Sequence, residues 1–408
     1  MKFMKLKNKI MVPESKYARE DIINTMPSNV VSCILDFLPL QDAVRTSILS
    51  RNWRYKWTKM NQLVFNKDFF ECIVRKKGDI DHGKIITRLL VHHEGSITKF
   101  VLYVPSDYKR FDQQDLSLWV KLLSRKSVKE MIVINKKPAP IILPTNIFSC
   151  VDLKRLILHC CCLPRNASIR GFPNLLSLDL DWVSCWEVLS LCPQLEVLKI
   201  YDPVCMTKMK QAEITKLKNL KELIFSLGMP YHDVAITSSH IFQLVGFLPK
   251  LHKLTLDLQH CKFSVDDAAR NGALSVLHSL KFLEVLDLDY HNRAMVVFLF
   301  DLIQGSPNLK ILKIKAVDKD RVWPSPVTYD EVKGGITGNL QQLRNVELEL
   351  TKDSQVELSL IKCLLANCSL LQLMSISTPL YGTNGYFEFS AKLLMFSRAS
   401  PEAKISIC

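Results

Sequence analysis

One phrase, apolar-x-x-apolar-x-apolar, returns eleven times between Ile97 and Ile376 of this 408-residue chain. It starts at Ile97 (then Phe100, Leu102), Val128 (Met131, Val133), Leu153 (Leu156, Leu158), Leu175 (Leu178, Leu180) and Leu195 (Leu198, Ile200). It continues from Leu220 (Leu223, Phe225), Leu251 (Leu254, Leu256), Leu283 (Leu286, Leu288), Leu309 (Leu312, Ile314), Leu343 (Val346, Leu348) and Leu371 (Met374, Ile376), at intervals of 20 to 34 residues. A unit this short cannot enclose a core by itself, so it must stack on its neighbours. The last two apolar positions alternate along a strand and point inward, and the first packs beneath the adjoining repeat. Turn chemistry precedes many of the strands, as in Phe172-Pro-Asn174, Cys192-Pro-Gln194 and Ser306-Pro-Asn308. The expected class is α/β: parallel strands in a solenoid, with helices of unequal length on the convex side.

Ahead of the repeats, Glu20 to Met60 reads as a compact helical module. Val30, Val31, Ile34, Leu35 and Leu38 recur at helical spacing, with Ser28 expected as N-cap after Pro27 and Pro39 as the stop. Ala43, Val44, Ile48 and Leu49 mark a second helix entered through Asp42. Trp53 and Trp57, four apart, predict one side of a third.

The module resembles the F-box. The matching phrases are Met26-Pro27, Phe37-Leu38-Pro39, Asp42 to Ser47 (Asp-Ala-x-Arg-Thr-Ser) and Leu49 to Trp57 (Leu-Ser-Arg-x-Trp-Arg-x-x-Trp). The last two are similar to those of plant F-box proteins that carry leucine-rich repeats; Met26 stands where leucine is usual, a swap that conserves volume. Trp323-Pro-Ser-Pro, Gln355 to Asn367 and Leu393 to Pro401 resemble the FBD region that follows such repeats. The repeats themselves depart from the leucine-rich consensus, which wants Asn or Cys three residues after the last leucine; Cys161 fits, while Val183, Gly228, Gln259 and Val317 do not. An irregular solenoid is therefore expected. The domains implied are a basic tail (1–19), the F-box (20–60), a linker into the solenoid (61–92), the leucine-rich repeats (93–322) and FBD-like repeats with a cap (323–408).

The resemblance implies a substrate-recognition subunit of a Skp–cullin–F-box E3 ubiquitin ligase. The module would dock on a Skp-type adaptor, and through it a cullin–RING ligase, using Met26, Pro27, Val30, Ile34, Leu35, Leu38, Pro39, Leu40, Val44, Leu49, Trp53 and Trp57. Trp53 and Trp57 also fit a plain structural role in the module's own core. A target protein would be held on the concave strand face by outward residues that include Arg155, His159, Asp179, Asp181, Lys199, Tyr201, Lys253, Asp257, Asp287 and Asp289.

Composition narrows the remaining classes. No apolar run reaches the roughly 18 residues of a membrane span; Met295 to Ile303 is short and interrupted by Asp301. The N-terminus lacks the apolar block of a secretory signal, so nucleus and/or cytoplasm is expected, along with buried reduced thiols for the 13 cysteines. Cys160, Cys161 and Cys162 alternate across a strand and cannot converge on one metal, and no metal or cofactor is expected. No zincin, phosphate-loop or nucleophile-elbow pattern occurs: His92-His93-Glu94 lacks its second helical histidine, and Lys333 to Gly338 lacks the lysine and hydroxyl. A non-catalytic receptor is the expectation. The formal charge of +14 is uneven: residues 1–19 carry six basic and one acidic side chains, and residues 61–137 fifteen and nine. The alternative function is therefore a non-ligase interaction scaffold, or a nucleic-acid-associated binder led by these basic segments. No aromatic interleaving accompanies the charge, and nucleic acid is not expected.

Overall fold

The computed structural model describes residues 25–74, 81–108, 112–164, 171–183, 188–201, 216–226, 238–259, 276–317, 340–351, 355–379 and 384–408. The basic tail, Trp323-Pro-Ser-Pro and the Lys333–Gly338 stretch lie outside them.

Thirteen strands form one parallel sheet in near-sequential order. They are β1 (Gln62–Phe65), β2 (Lys99–Val104), β3 (Glu130–Asn135), β5 (Arg155–His159), β7 (Ser177–Asp181), β8 (Val197–Ile200) and β9 (Glu222–Ser226). Then come β10 (Lys253–Asp257), β11 (Phe282–Leu288), β12 (Ile311–Ala316), β13 (Asn345–Glu349), β14 (Leu373–Ser377) and β15 (Lys404–Ile407). A separate pair, β4 (Ile141–Ile142) and β6 (Cys161–Cys162), runs beside them. Along most of these strands one residue set is buried and the alternate set faces away, as the pleat requires: Phe100, Leu102, Met131, Val133, Leu156 and Leu158 are all inside. The helices between strands are indeed unequal, from Ser238–Val245 to Gln355–Asn367. Arg293–Gln304, the most apolar stretch, is a helix capped by the Asn292 side chain and packed into the core. No helix among the described residues is long and apolar enough to cross a membrane.

Unequal repeats still share one device. Up to β13, the carbonyl just before each strand of the main sheet accepts two backbone N–H groups from the next repeat: Lys154 O takes Leu176 and Ser177, Lys221 O takes His252 and Lys253, and His252 O takes Lys281 and Phe282. This clamp fixes register while the intervening loops vary in length. It also corrects the phrase expected at Leu283. Leu283 pairs with Leu254 and Val285 with Leu256, so the true phrase is Leu280-Leu283-Val285. A register shift follows between Val285 and Leu288, with Asp287 in the left-handed region at φ 57°. The misplaced reading arose because Leu286 and Leu288 continue the same spacing three residues on.

The module also differs from expectation in detail. Its first helix, α1, is Ser28–Asp36 and its second, α2, is Leu40–Arg45; each is entered from a proline, Pro27 or Pro39, not from a Ser28 or Asp42 cap. Proline's fixed φ already suits a helix start. No third α-helix carries the tryptophans: Trp53 lies in a turn whose N–H is held by Ser50 Oγ at 3.3 Å, and Trp57 lies in a short 3-10 turn, Lys56–Lys59. Side-chain capture of the backbone here competes with helix.

The segment read as a linker supplies β1 and two helices, Lys67–Val74 and His82–His92. Hydrogen bonds tie the module to the sheet. Asp36 accepts from the Asn61 N–H (2.9 Å) and side chain (3.1 Å), Thr58 O takes Glu94 and Gly95, and buried His93 meets Met60 O through Nε2 at 2.8 Å. Burial holds the His93 imidazole below its ordinary value of 6.5. The unfolded chain therefore takes up a proton beneath that pH which the folded chain resists, so stability is complete above it and falls as pH drops. His82, similarly lowered by burial, adds to the trend. The expected result is a lower urea midpoint at about pH 5.5 than at about pH 7.5, with a smaller difference in His93→Gln.

Gly171 begins the turn into β7 at φ +69°. A Cβ there would overlap the Leu191 side chain and carbonyl, while the next N–H, Phe172, already bonds that carbonyl at 3.1 Å. Gly171→Ala combines left-handed strain with displacement of a packed repeat, and should cost at least about 2 kcal/mol in chemical denaturation.

Candidate functional site

Helix α1 carries more apolar residues than its buried face can take. Val31 and Leu35 are inside, whereas Val30 and Ile34, four apart, and Leu38 beyond the C-terminus face outward. Of the five apolar residues at helical spacing, two are core. Phe37, at 90% exposure, extends the outward stripe, and the 3-10 turn after α2 adds Ile48 at 86% together with Leu49. Among the other predicted docking residues, Pro27 and Pro39 are exposed, Met26, Val44 and Trp57 pack partly against the core, and Leu35, Leu40 and Trp53 are buried. Trp53, at 5% exposure, belongs to the module's own core. Phe37 and Ile48 are not among the predicted docking residues, although Phe37 sits in a phrase that carries the resemblance and Ile48 lies between two of them.

The open face of the sheet is the second candidate. Across neighbouring strands the third residue of each aligns as Val64, Val101, Ile132, Ile157, Asp179 and Lys199. The apolar members are half-buried and lie opposite the core leucines. Several charges on this face pair with the neighbouring strand: Glu130 with Lys99 and Arg155 (both 3.4 Å), Glu222 with Lys253 (2.9 Å), and Glu347 with Lys313 (2.6 Å). Lys253 also lies over the Phe282 ring at 5.2 Å. Asp181 bonds His159 Nδ1. Tyr201, 38% exposed, is pushed up by burial and then by Asp179, Asp181, Asp257 and Glu222 around it. Arg155, His159, Asp179, Asp181, Lys199, Tyr201, Lys253 and Asp257 thus all lie on or at the end of this face. Asp287 and Asp289 do not align with it: they follow the register shift, and Glu284, 3.1 Å from Thr255 Oγ1, takes the strand position.

No group of three or more His, Cys, Asp or Glu side chains among the described residues could hold a metal. Cys150, Cys192 and Cys368 are buried, and burial pushes their thiols up to about 11, 12 and 12. Such thiols are packing groups and not nucleophiles.

Comparison with known proteins bears on the module first. Residues 23–65 match the F-box domain, and residues 116–211 match the LRR repeats of "FBD-associated F-box protein At5g56370". F-box/FBD/LRR-repeat protein At1g13570 of Arabidopsis thaliana is 28% identical over 94% of this chain and 98% of its own length. The chain resembles F-box/FBD/LRR-repeat proteins. A second Arabidopsis relative, FBD-associated F-box protein At5g38590, is 28% identical over 73% of this chain and 78% of its own. Among solved structures, that of a TLR13–ssRNA13 complex aligns with a TM-score of 0.42 and 17% identity, covering 80% of this chain and 40% of that one. The outward stripe of α1 and the turn at Ile48 both fall within the F-box match, and an F-box implies binding to a Skp-type adaptor.

Proposed function

We propose that this chain is the substrate-recognition subunit of a Skp–cullin–F-box E3 ubiquitin ligase, working in the nucleus and/or cytoplasm. The observation that carries the reading is the apolar stripe Val30–Ile34–Phe37–Leu38 with Ile48, left in water inside the F-box match. A patch of this kind on a folded module needs a partner. The adaptor covers it, and the sheet, joined to the module through Asp36, Met60 and His93, holds a target protein at a fixed distance and angle. The subunit needs no catalytic group of its own. Holding a target lysine near a charged conjugating enzyme makes the transfer effectively intramolecular. The test is titration of the full chain with a purified Skp-type adaptor, followed by assembly with a cullin–RING pair. Saturable one-to-one binding is expected; absence of binding by a folded chain would leave a scaffold.

A further inference from the structure

The open face divides into two chemistries. From β1 to β5 its central row is Val64, Val101, Ile132 and Ile157, flanked by Tyr103 and Ile134 on the same face. At the next strand the row turns acidic with Asp179, and Asp181 and Asp257 stand with it around Tyr201. Elsewhere on the face Glu130, Glu222 and Glu347 are each matched by lysine or arginine of an adjoining strand. Asp179 has no such pair. Lys199 is its register partner but makes no ion pair with it within 4 Å, and Arg155 is turned to Glu130. Burial pushes the Asp179 carboxyl up and Asp181 adds to the rise, while the charges of Lys199 and Arg155 oppose it without cancelling it. A cation brought by a partner would meet a partly dried carboxylate, where its attraction is strongest. Trp182, just after Asp181, is exposed, and aromatic residues of this kind recur at interfaces.

We infer that the β1–β7 part of the open face takes a peptide segment of the target protein that presents bulky apolar side chains followed by a lysine or arginine. The inference deepens the reading of the solenoid as the target-binding arm, and rests on it. Apolar side chains seat on the Val101–Ile132–Ile157 row, and the cation reaches Asp179. Neighbouring strands lie about 4.8 Å apart and an extended chain advances about 3.3 Å per residue. For a segment running across the strands, the basic residue therefore falls about three positions beyond the side chain seated over Ile132.

The experiment is selection of a random dodecapeptide display library on the full chain, on Ile132→Asp and on Asp179→Lys. The wild type should enrich apolar-then-basic sequences. Ile132→Asp should lose that enrichment, with a selected synthetic peptide binding at least about tenfold more weakly. Asp179→Lys should exchange the basic preference for an acidic one. Should Ile132→Asp lower the melting temperature, Ile157→Ser removes apolar area without adding charge. No enrichment, enrichment of another pattern, or an unchanged preference in Asp179→Lys would overturn the inference. Adaptor titration of the same proteins separates the two ideas: a chain that selects these peptides yet ignores the adaptor sinks the ligase reading alone, and the converse sinks this one alone.

Discussion

Phe37→Asp combined with Ile48→Asp should abolish adaptor binding by the full chain while leaving its melting temperature within about a degree of wild type. Both side chains are almost fully in water, so the folded chain loses little when they become polar. In a complex the same two positions would place carboxylates in a dried apolar contact. Interface anchors commonly contribute 2 kcal/mol or more each, and an unpaired buried charge adds its own penalty, so affinity should drop by at least about a thousandfold. Calorimetric titration reads the effect. Unchanged affinity in the double variant would place the adaptor contact elsewhere.

Trp53→Ala should act in the opposite way. Its ring belongs to the same continuous core as Val31, Leu35, Ala43, Met60 and Leu63, so truncation leaves a cavity between module and first strand. A loss of about 3–5 kcal/mol is expected in chemical denaturation. Any weakening of adaptor binding should follow from the unfolded fraction and disappear on cooling or adding a stabilising osmolyte. A stable Trp53→Ala chain that binds poorly would return the tryptophan to the docking surface. The pair of experiments separates two roles that the sequence left joined.

What the sequence made legible was whatever repeats. Ten of the eleven phrases fall on strands in the expected register, because inward leucines at fixed spacing admit one pleat. The eleventh slipped by three residues, since Leu280-Leu283-Val285 and Leu283-Leu286-Leu288 both satisfy the pattern; the backbone clamp in which Lys281 and Phe282 donate to His252 O chooses between them. That slip alone misplaced Asp287 and Asp289. The edge strand β15 belongs to the sheet without a full phrase of its own, its pairing being set by its neighbour, whereas Met60, Leu63 and Phe65 give β1 a phrase outside the eleven. Inside the module, periodicity placed five residues on one helix but could not say which would be inside. Val31 and Leu35 face the core built by Trp53, Met60 and β1, and that core is assembled from residues distant in sequence. Asn135 was invisible for the same reason: fully buried, it donates to Ala139 O and Cys160 O and accepts from the Lys137 N–H, so it holds a loop between two repeats.

The central claim is that the outward stripe of α1 and the turn at Ile48 are covered by an adaptor. Amide hydrogen exchange on the full chain, with and without a purified Skp-type adaptor, reads this directly. Slower exchange confined to Ser28–Leu38 and Thr46–Leu49, with the strands from β2 onward unchanged, is the predicted result. Tight binding that leaves those amides unprotected, or protection appearing on the sheet instead, would contradict the account.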